Sequence, residues 1–112
     1  PYFQPTELQY SRSRNKLWRL NGGVLQEIKL RPQALRLIDY MAPIENSDNN
    51  IPEVFNASDL IKKIFDDDIS RNNDLTHLIW EIRRKIELDS GEPEFLKTED
   101  RQKYSLKVTL LP

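Results

Sequence analysis

Residues 72–88, NNDLTHLIWEIRRKIEL, constrain this chain more than any other stretch. Leu75, Ile79, Ile82 and Ile86 recur at steps of four, three and four, the repeat that aligns side chains on one face of an α-helix. Asn72, Asn73 or Asp74 supplies the N-cap, and Ser90-Gly91 ends the helix. At roughly 100° per residue, Thr76, His77, Trp80 and Arg84 project from the opposite side. A Trp there is out of place on a helix that merely packs. It suits a face that meets another molecule.

The 112 residues suffice for one domain with one modest core. Aromatic residues run from Tyr2 to Tyr104, which argues against a disordered chain. The absence of cysteine excludes a disulfide scaffold, thiolate metal sites and a Cys nucleophile, and it fits a reducing cytosol. No run of about 18 apolar residues is available to span a bilayer. The N-terminus lacks the basic segment and apolar core of a signal peptide. An opening Pro in place of Met leads us to expect a piece of a longer protein. The formal net charge of −1 argues mildly against nucleic acid, because phosphate neutralisation dominates such affinity. Its distribution is uneven. Residues 1–36 carry Arg12, Arg14, Lys16, Arg19, Lys29, Arg31 and Arg36 against Glu7 and Glu27, a local +5, and the remainder carries −6. Such asymmetry suggests a directed field.

The N-terminal third reads as a small antiparallel sheet. Tyr2–Tyr10 is a candidate strand, Ser11–Asn15 a polar turn, and Lys16–Leu20 a strand anchored by Leu17 and Trp18. Asn21-Gly22-Gly23 supplies the positive φ of a tight hairpin. Val24–Leu30 returns, with Leu25 or Val24, Ile28 and Leu30 facing inward. Pro32 then opens a first helix with an apolar stripe of Leu35, Ile38, Met41 and Ala42, ended by Pro43. The polar segment 44–52 is long for a connection in a compact domain. Asn56 is a candidate N-cap, with Asp59 placed for a capping-box-like return. The second helix, Ala57–Phe65, buries Leu60, Ile61, Ile64 and Phe65. Asp66-Asp67-Asp68 at its end opposes the helix dipole. After the third helix, Phe95–Thr98 and Tyr104–Leu110 form a second hairpin around the charged linker Glu99–Lys103.

Sheet, three helices and hairpin, in that order, describe an α+β chain of the winged helix–turn–helix kind: an N-terminal sheet over 1–30, a three-helix core over 31–88 and a wing hairpin over 93–111. The motifs narrow it. Leu30-Arg31-Pro32 stands where one family has L-x-P, and Val54-Phe55-Asn56…Leu60-Ile61…Ile64-Phe65 where it has V-x-S…L-L…V-W. Leu75-Thr76…Ile79…Ile82-Arg83-Arg84-Lys85-Ile86…Asp89-Ser90 runs in register with L-T-x-x-I-x-x-L-R-K-x-L…D-S. Glu92-Pro93-Glu94-Phe95-Leu96-Lys97-Thr98 and Tyr104 continue the match. Over residues 16–107 the chain resembles the OmpR/PhoB-type effector domain, and most nearly its one-component, membrane-anchored ToxR/CadC-like branch. The family's glycines before the Tyr are absent, and the tip reads Glu99-Asp100-Arg101-Gln102-Lys103.

The residues and the resemblance together lead us to expect a DNA-binding domain of a bacterial transcriptional regulator, with the third helix in the major groove. Thr76 and His77 lie in the half that goes deepest, and Arg83 and Arg84 are placed for phosphates or a guanine edge. Trp80 has three open roles: packing on sugar or a thymine methyl, covering the hairpin, or anchoring a partner protein. The wing offers Lys97, Thr98, Arg101 and Lys103 to the backbone or minor groove. The resemblance puts Asp66, Asp67 and Asp68 in the loop that touches RNA polymerase. The plain alternatives are a solvated basic helix face and a charged exposed turn. Residues 73–103 hold six basic and eight acidic residues, so weak, salt-sensitive binding by a monomer is expected, improved by a second copy on nearby sites or by a co-regulator. The competing expectation is a winged helix converted to protein binding, with Trp80 as anchor. No enzyme is visible: His77 is the single His, no carboxylate pair sits in a pocket-forming pattern, and Gly22-Gly23 lacks both phosphate-loop spacings. No cofactor or metal is expected, nor any membrane contact within this stretch. A cytoplasmic location is expected, with tethering to an inner membrane through a segment outside it.

Overall fold

The structure, a computed structural model, describes residues 6–45, 52–65 and 72–111. The described residues form an α+β arrangement of three helices and two sheets. Strand β1 (Glu7–Ser11) pairs antiparallel with β2 (Lys16–Asn21), and β2 with β3 (Val24–Ile28). Leu8 and Tyr10 alternate inward on β1, with Leu17 on β2 and Ile28 on β3, as a half-buried strand requires. Asn21 opposes Val24 across Gly22 and Gly23, both at positive φ (58° and 81°), which is the expected two-residue hairpin turn. Val24 and Leu25 do not face inward: they are 67% and 53% exposed, and burial is confined to the Leu17–Ile28 end of the strand pair. Tyr2 and Phe3 of the expected first strand lie outside the described residues.

Helix α1 (Pro32–Met41) starts at Pro32 and ends where the Ala42 amide bonds the Ile38 carbonyl, before Pro43. Its buried face is Ala34, Leu37, Ile38 and Met41. Leu35, expected in the stripe, is only half-buried, so the stripe is rotated about one position from the expected phase. Helix α2 (Ala57–Phe65) has the expected bounds and buries Leu60, Ile61 and Ile64. Asn56 ends a strand that sequence patterning missed, β4 (Val54–Asn56). The Ala57 amide at the start of α2 bonds the Gln102 carbonyl at 2.7 Å. Segment 46–51 and the acidic Asp66, Asp67 and Asp68 lie outside the described residues.

Helix α3 (Asn72–Ile86) buries Leu75, Ile79, Ile82 and Ile86 as the spacing predicts, and Leu78 as well. Each fully buried Leu or Ile contributes about 1.5–3 kcal/mol. The helix begins at Asn72, with Asp74 in its first turn; it stops two residues short of Leu88, which is exposed. The turn at Ser90-Gly91 follows later, held by the Gly91 amide on Asp89 Oδ1 at 2.9 Å.

Strand β5 (Leu96–Asp100) pairs with β6 (Lys103–Leu106), and β6 with β4, giving a second sheet in the order β4-β6-β5. The expected strand Tyr104–Leu110 is two strands. After Lys107, whose amide still bonds the Phe95 carbonyl at 2.8 Å, the chain crosses to form β7 (Thr109–Leu110) beside β1, in parallel. The crossing covers a β1 edge that would otherwise leave backbone groups unpaired. The first sheet therefore runs β3-β2-β1-β7 and is not purely antiparallel.

The β5–β6 turn has no glycine, yet its backbone still needs one left-handed residue, and Gln102 supplies it at φ 61°. Gln102→Gly should raise the unfolding free energy by about 0.5–1 kcal/mol, since strain at a non-glycine residue costs about that beyond the added unfolded-state entropy. A urea titration at unchanged slope reads this; a destabilised variant would show that the Gln side chain supports the turn.

Candidate functional site

Helix α3 and the β5–β6 hairpin are joined by two side chains one helical turn apart. Glu87 is 5% exposed, and its carboxylate accepts from three successive backbone amides: Glu94 at 2.7 Å, Phe95 at 3.1 Å to each oxygen, and Leu96 at 2.8 Å. Those amides precede or begin β5, so the carboxylate holds the chain where the strand starts. One turn earlier, Arg83 donates from Nε to the Leu96 carbonyl at 2.9 Å and from a terminal nitrogen to Thr98 Oγ1 at 2.8 Å. Arg83 is 8% exposed, and burial lowers its pKa from the ordinary guanidinium value, against the favourable fields of Tyr104 and Glu87. One candidate contact residue is thereby corrected, Arg83, while Thr98 stays exposed. Arg83 is turned into the protein and holds the hairpin, and the Thr98 hydroxyl is its acceptor. Spacing on a helix places a residue on a face but does not say whether a strand of the same chain covers that face.

The other helix positions stand clear. Thr76, His77, Trp80 and Arg84 are all exposed along the side of α3 opposite the core, with Trp80 at 44%. Neither His77 nor Arg84 makes a side-chain hydrogen bond or ion pair among the described residues. The β5–β6 hairpin carries Lys97 and Lys103 exposed on its strands and Arg101 exposed in its turn.

The remaining charges redistribute what the sequence suggested. Glu81, on the flank of α3, takes a two-pronged bond from Arg31 at 2.7 Å to each oxygen. Lys85 reaches the Lys29 carbonyl at 3.0 Å. Arg19 crosses from β2 to the last carbonyls of α3, Ile86 at 3.0 Å and Lys85 at 3.4 Å. Arg12 donates to the carbonyls of Asp39, Ala42 and Pro43 around the end of α1, and Arg36 to the Lys63 carbonyl near the end of α2 at 3.0 Å. Three arginines thus satisfy the orphan carbonyls at three helix C-termini. Arg12, Arg19, Arg31 and Arg36, four of the seven basic residues of 1–36, therefore make structural contacts. Sequence missed the Glu87 clamp; its one signal was the helical spacing of four between Arg83 and Glu87.

Among the described residues no cluster of His, Asp or Glu is suited to a metal ion, and no helix is long and apolar enough to cross a membrane. A scan of the chain against models of protein families finds no match, and a search of curated proteins finds none either.

Proposed function

We propose that this chain is a winged helix–turn–helix domain that binds double-stranded DNA as part of a bacterial transcriptional regulator, with α3 in the major groove and β5–β6 as the wing on the backbone or minor groove. The observation that carries this reading is the face of α3 that bears His77, Trp80 and Arg84. It is uncovered by the chain's own hairpin, while that hairpin is clamped to the same helix through Arg83 and Glu87. Two elements held in one fixed relation can meet a groove and its phosphate ridge together, without ordering cost at the moment of binding. Pairing of Glu81 with Arg31 and of Glu87 with backbone amides removes two carboxylates from the field around this face. RNA polymerase and a second copy of the chain or a co-regulator remain the partners proposed beside DNA, and a cytoplasmic site of action goes with them.

Titration of labelled duplex promoter DNA at two salt concentrations tests the proposal. With Arg84, Lys97, Arg101 and Lys103 as phosphate contacts, about four ions are displaced, and affinity should fall roughly 100-fold between 50 and 200 mM salt. Arg84→Ala should weaken binding about tenfold or more and leave thermal stability unchanged. The exposure of Trp80 at the centre of this face favours one alternative, a protein-binding module anchored by that ring. Absence of any duplex binding at low salt would decide for the alternative.

A further inference from the structure

We propose that the groove along α1 is a binding site for a small amphipathic anion, an aryl or alkyl carboxylate or phosphate, held by Arg36 and Lys63 with its apolar body against Leu35 and Tyr40. The groove is a cleft of about 490 Å³ bounded by α1, the C-terminal end of α2 and the first hairpin. On α1 it is lined by Pro32, Leu35, Arg36, Asp39 and Tyr40, spaced so that they share one side of the helix. This is the side left half-open by the rotated apolar stripe.

Three cations and one carboxylate line the groove. Asp39 is already engaged, accepting from the Tyr10 hydroxyl at 2.7 Å and from Arg12 Nε at 3.2 Å. The other donors of Arg12 are bound to carbonyls at the end of α1. Arg36 and Lys63 are different. Neither has an ion-pair partner among the described residues, and Arg36 spends one terminal nitrogen on the Lys63 carbonyl. That bond keeps the two side chains on neighbouring walls. The Lys63 ammonium stands 5.9 Å over the Tyr40 ring, and the ring also meets Phe55 at a centroid distance of 5.4 Å, tilted by 54°. The arrangement is an aromatic wall, an aliphatic floor and two cations with no ion-pair partner among the described residues, in a volume typical of small-molecule sites. A guanidinium and an ammonium suit a carboxylate or phosphate, and the one carboxylate of the lining, Asp39, is paired with Arg12.

The site does not depend on the DNA-binding reading, and the two are tested by separate titrations. Benzoate is the probe, and benzamide its neutral counterpart of the same shape. In an amide NMR titration of the whole chain, benzoate should shift the signals of Leu35, Arg36, Tyr40, Lys63 and Ile64 along a saturating curve at about 1–10 mM. Benzamide should bind at least tenfold more weakly. Lys63→Gln, which removes no side-chain hydrogen bond or ion pair among the described residues, should abolish saturation while the rest of the spectrum is preserved, and Arg36→Gln should abolish it too. Shifts that map elsewhere, equal response to benzamide, no saturation, or unchanged binding in Lys63→Gln would each overturn the proposal.

Discussion

Glu87→Ala, just past the end of α3, should lower the unfolding free energy by about 3–5 kcal/mol. The carboxylate accepts from three consecutive amides, and an alanine strips this acceptor from the buried Phe95 and Leu96 in a site that water reaches poorly. At roughly 4 °C per kcal/mol for a chain of this size, the melting temperature should fall about 10–20 °C. Glu87→Gln keeps one acceptor oxygen but points a donor at other donors, so about half of the loss should remain. Thermal and urea denaturation of the three proteins give the comparison. A loss below about 1 kcal/mol for the alanine variant would mean that the amides find other partners and that the start of β5 is not set by this side chain.

The second large effect is expected at Arg83, and its value lies in the contrast with its neighbour. Arg83→Met keeps most of the aliphatic bulk but strips the Leu96 carbonyl and Thr98 hydroxyl of their donor, at a cost of about 2–3 kcal/mol. Arg83→Lys should recover part of this, because an ammonium can serve one acceptor but not both in the geometry of the planar fork. Arg84→Met, one position on and exposed, should change stability by less than about 0.5 kcal/mol. Urea denaturation of the three variants decides it. Equal stabilities for Arg83→Met and Arg84→Met would put the Arg83 guanidinium in solvent and return it to the exposed contact face.

Much of the framework was legible before any coordinates. The four-three-four spacing of Leu75, Ile79, Ile82 and Ile86 gave the buried face of α3. The bounds of α2 and the Gly22-Gly23 turn were also readable. These features are written by neighbours in sequence, a periodicity or a backbone angle, and no distant residue is needed to decide them. The strand Val54–Asn56 was not legible: three residues carry no usable period, and what makes them a strand is its pairing with β6, distant in sequence. The division of Tyr104–Leu110 between two sheets was hidden for the same reason, since an edge at β1 draws the last residues across.

The candidate site divides along the same line. Exposure of His77, Trp80 and Arg84 followed from helix phase alone, because a side opposite the core stays open unless something crosses it. Arg83 was misplaced because something does cross it. The basic surplus of the first thirty-six residues looked like a surface field, and the fold uses Arg12, Arg19 and Arg36 on the carbonyl ends of three helices. Sequence alone therefore determined which segments coil, which side of each is oily and where the chain turns, since these depend on residues within one or two turns of each other. Which amide a carboxylate serves, and whether an arginine faces water or a helix end, was decided by tertiary structure, because hydrogen bonds form only within about 3 Å and that proximity is a property of the whole packed chain.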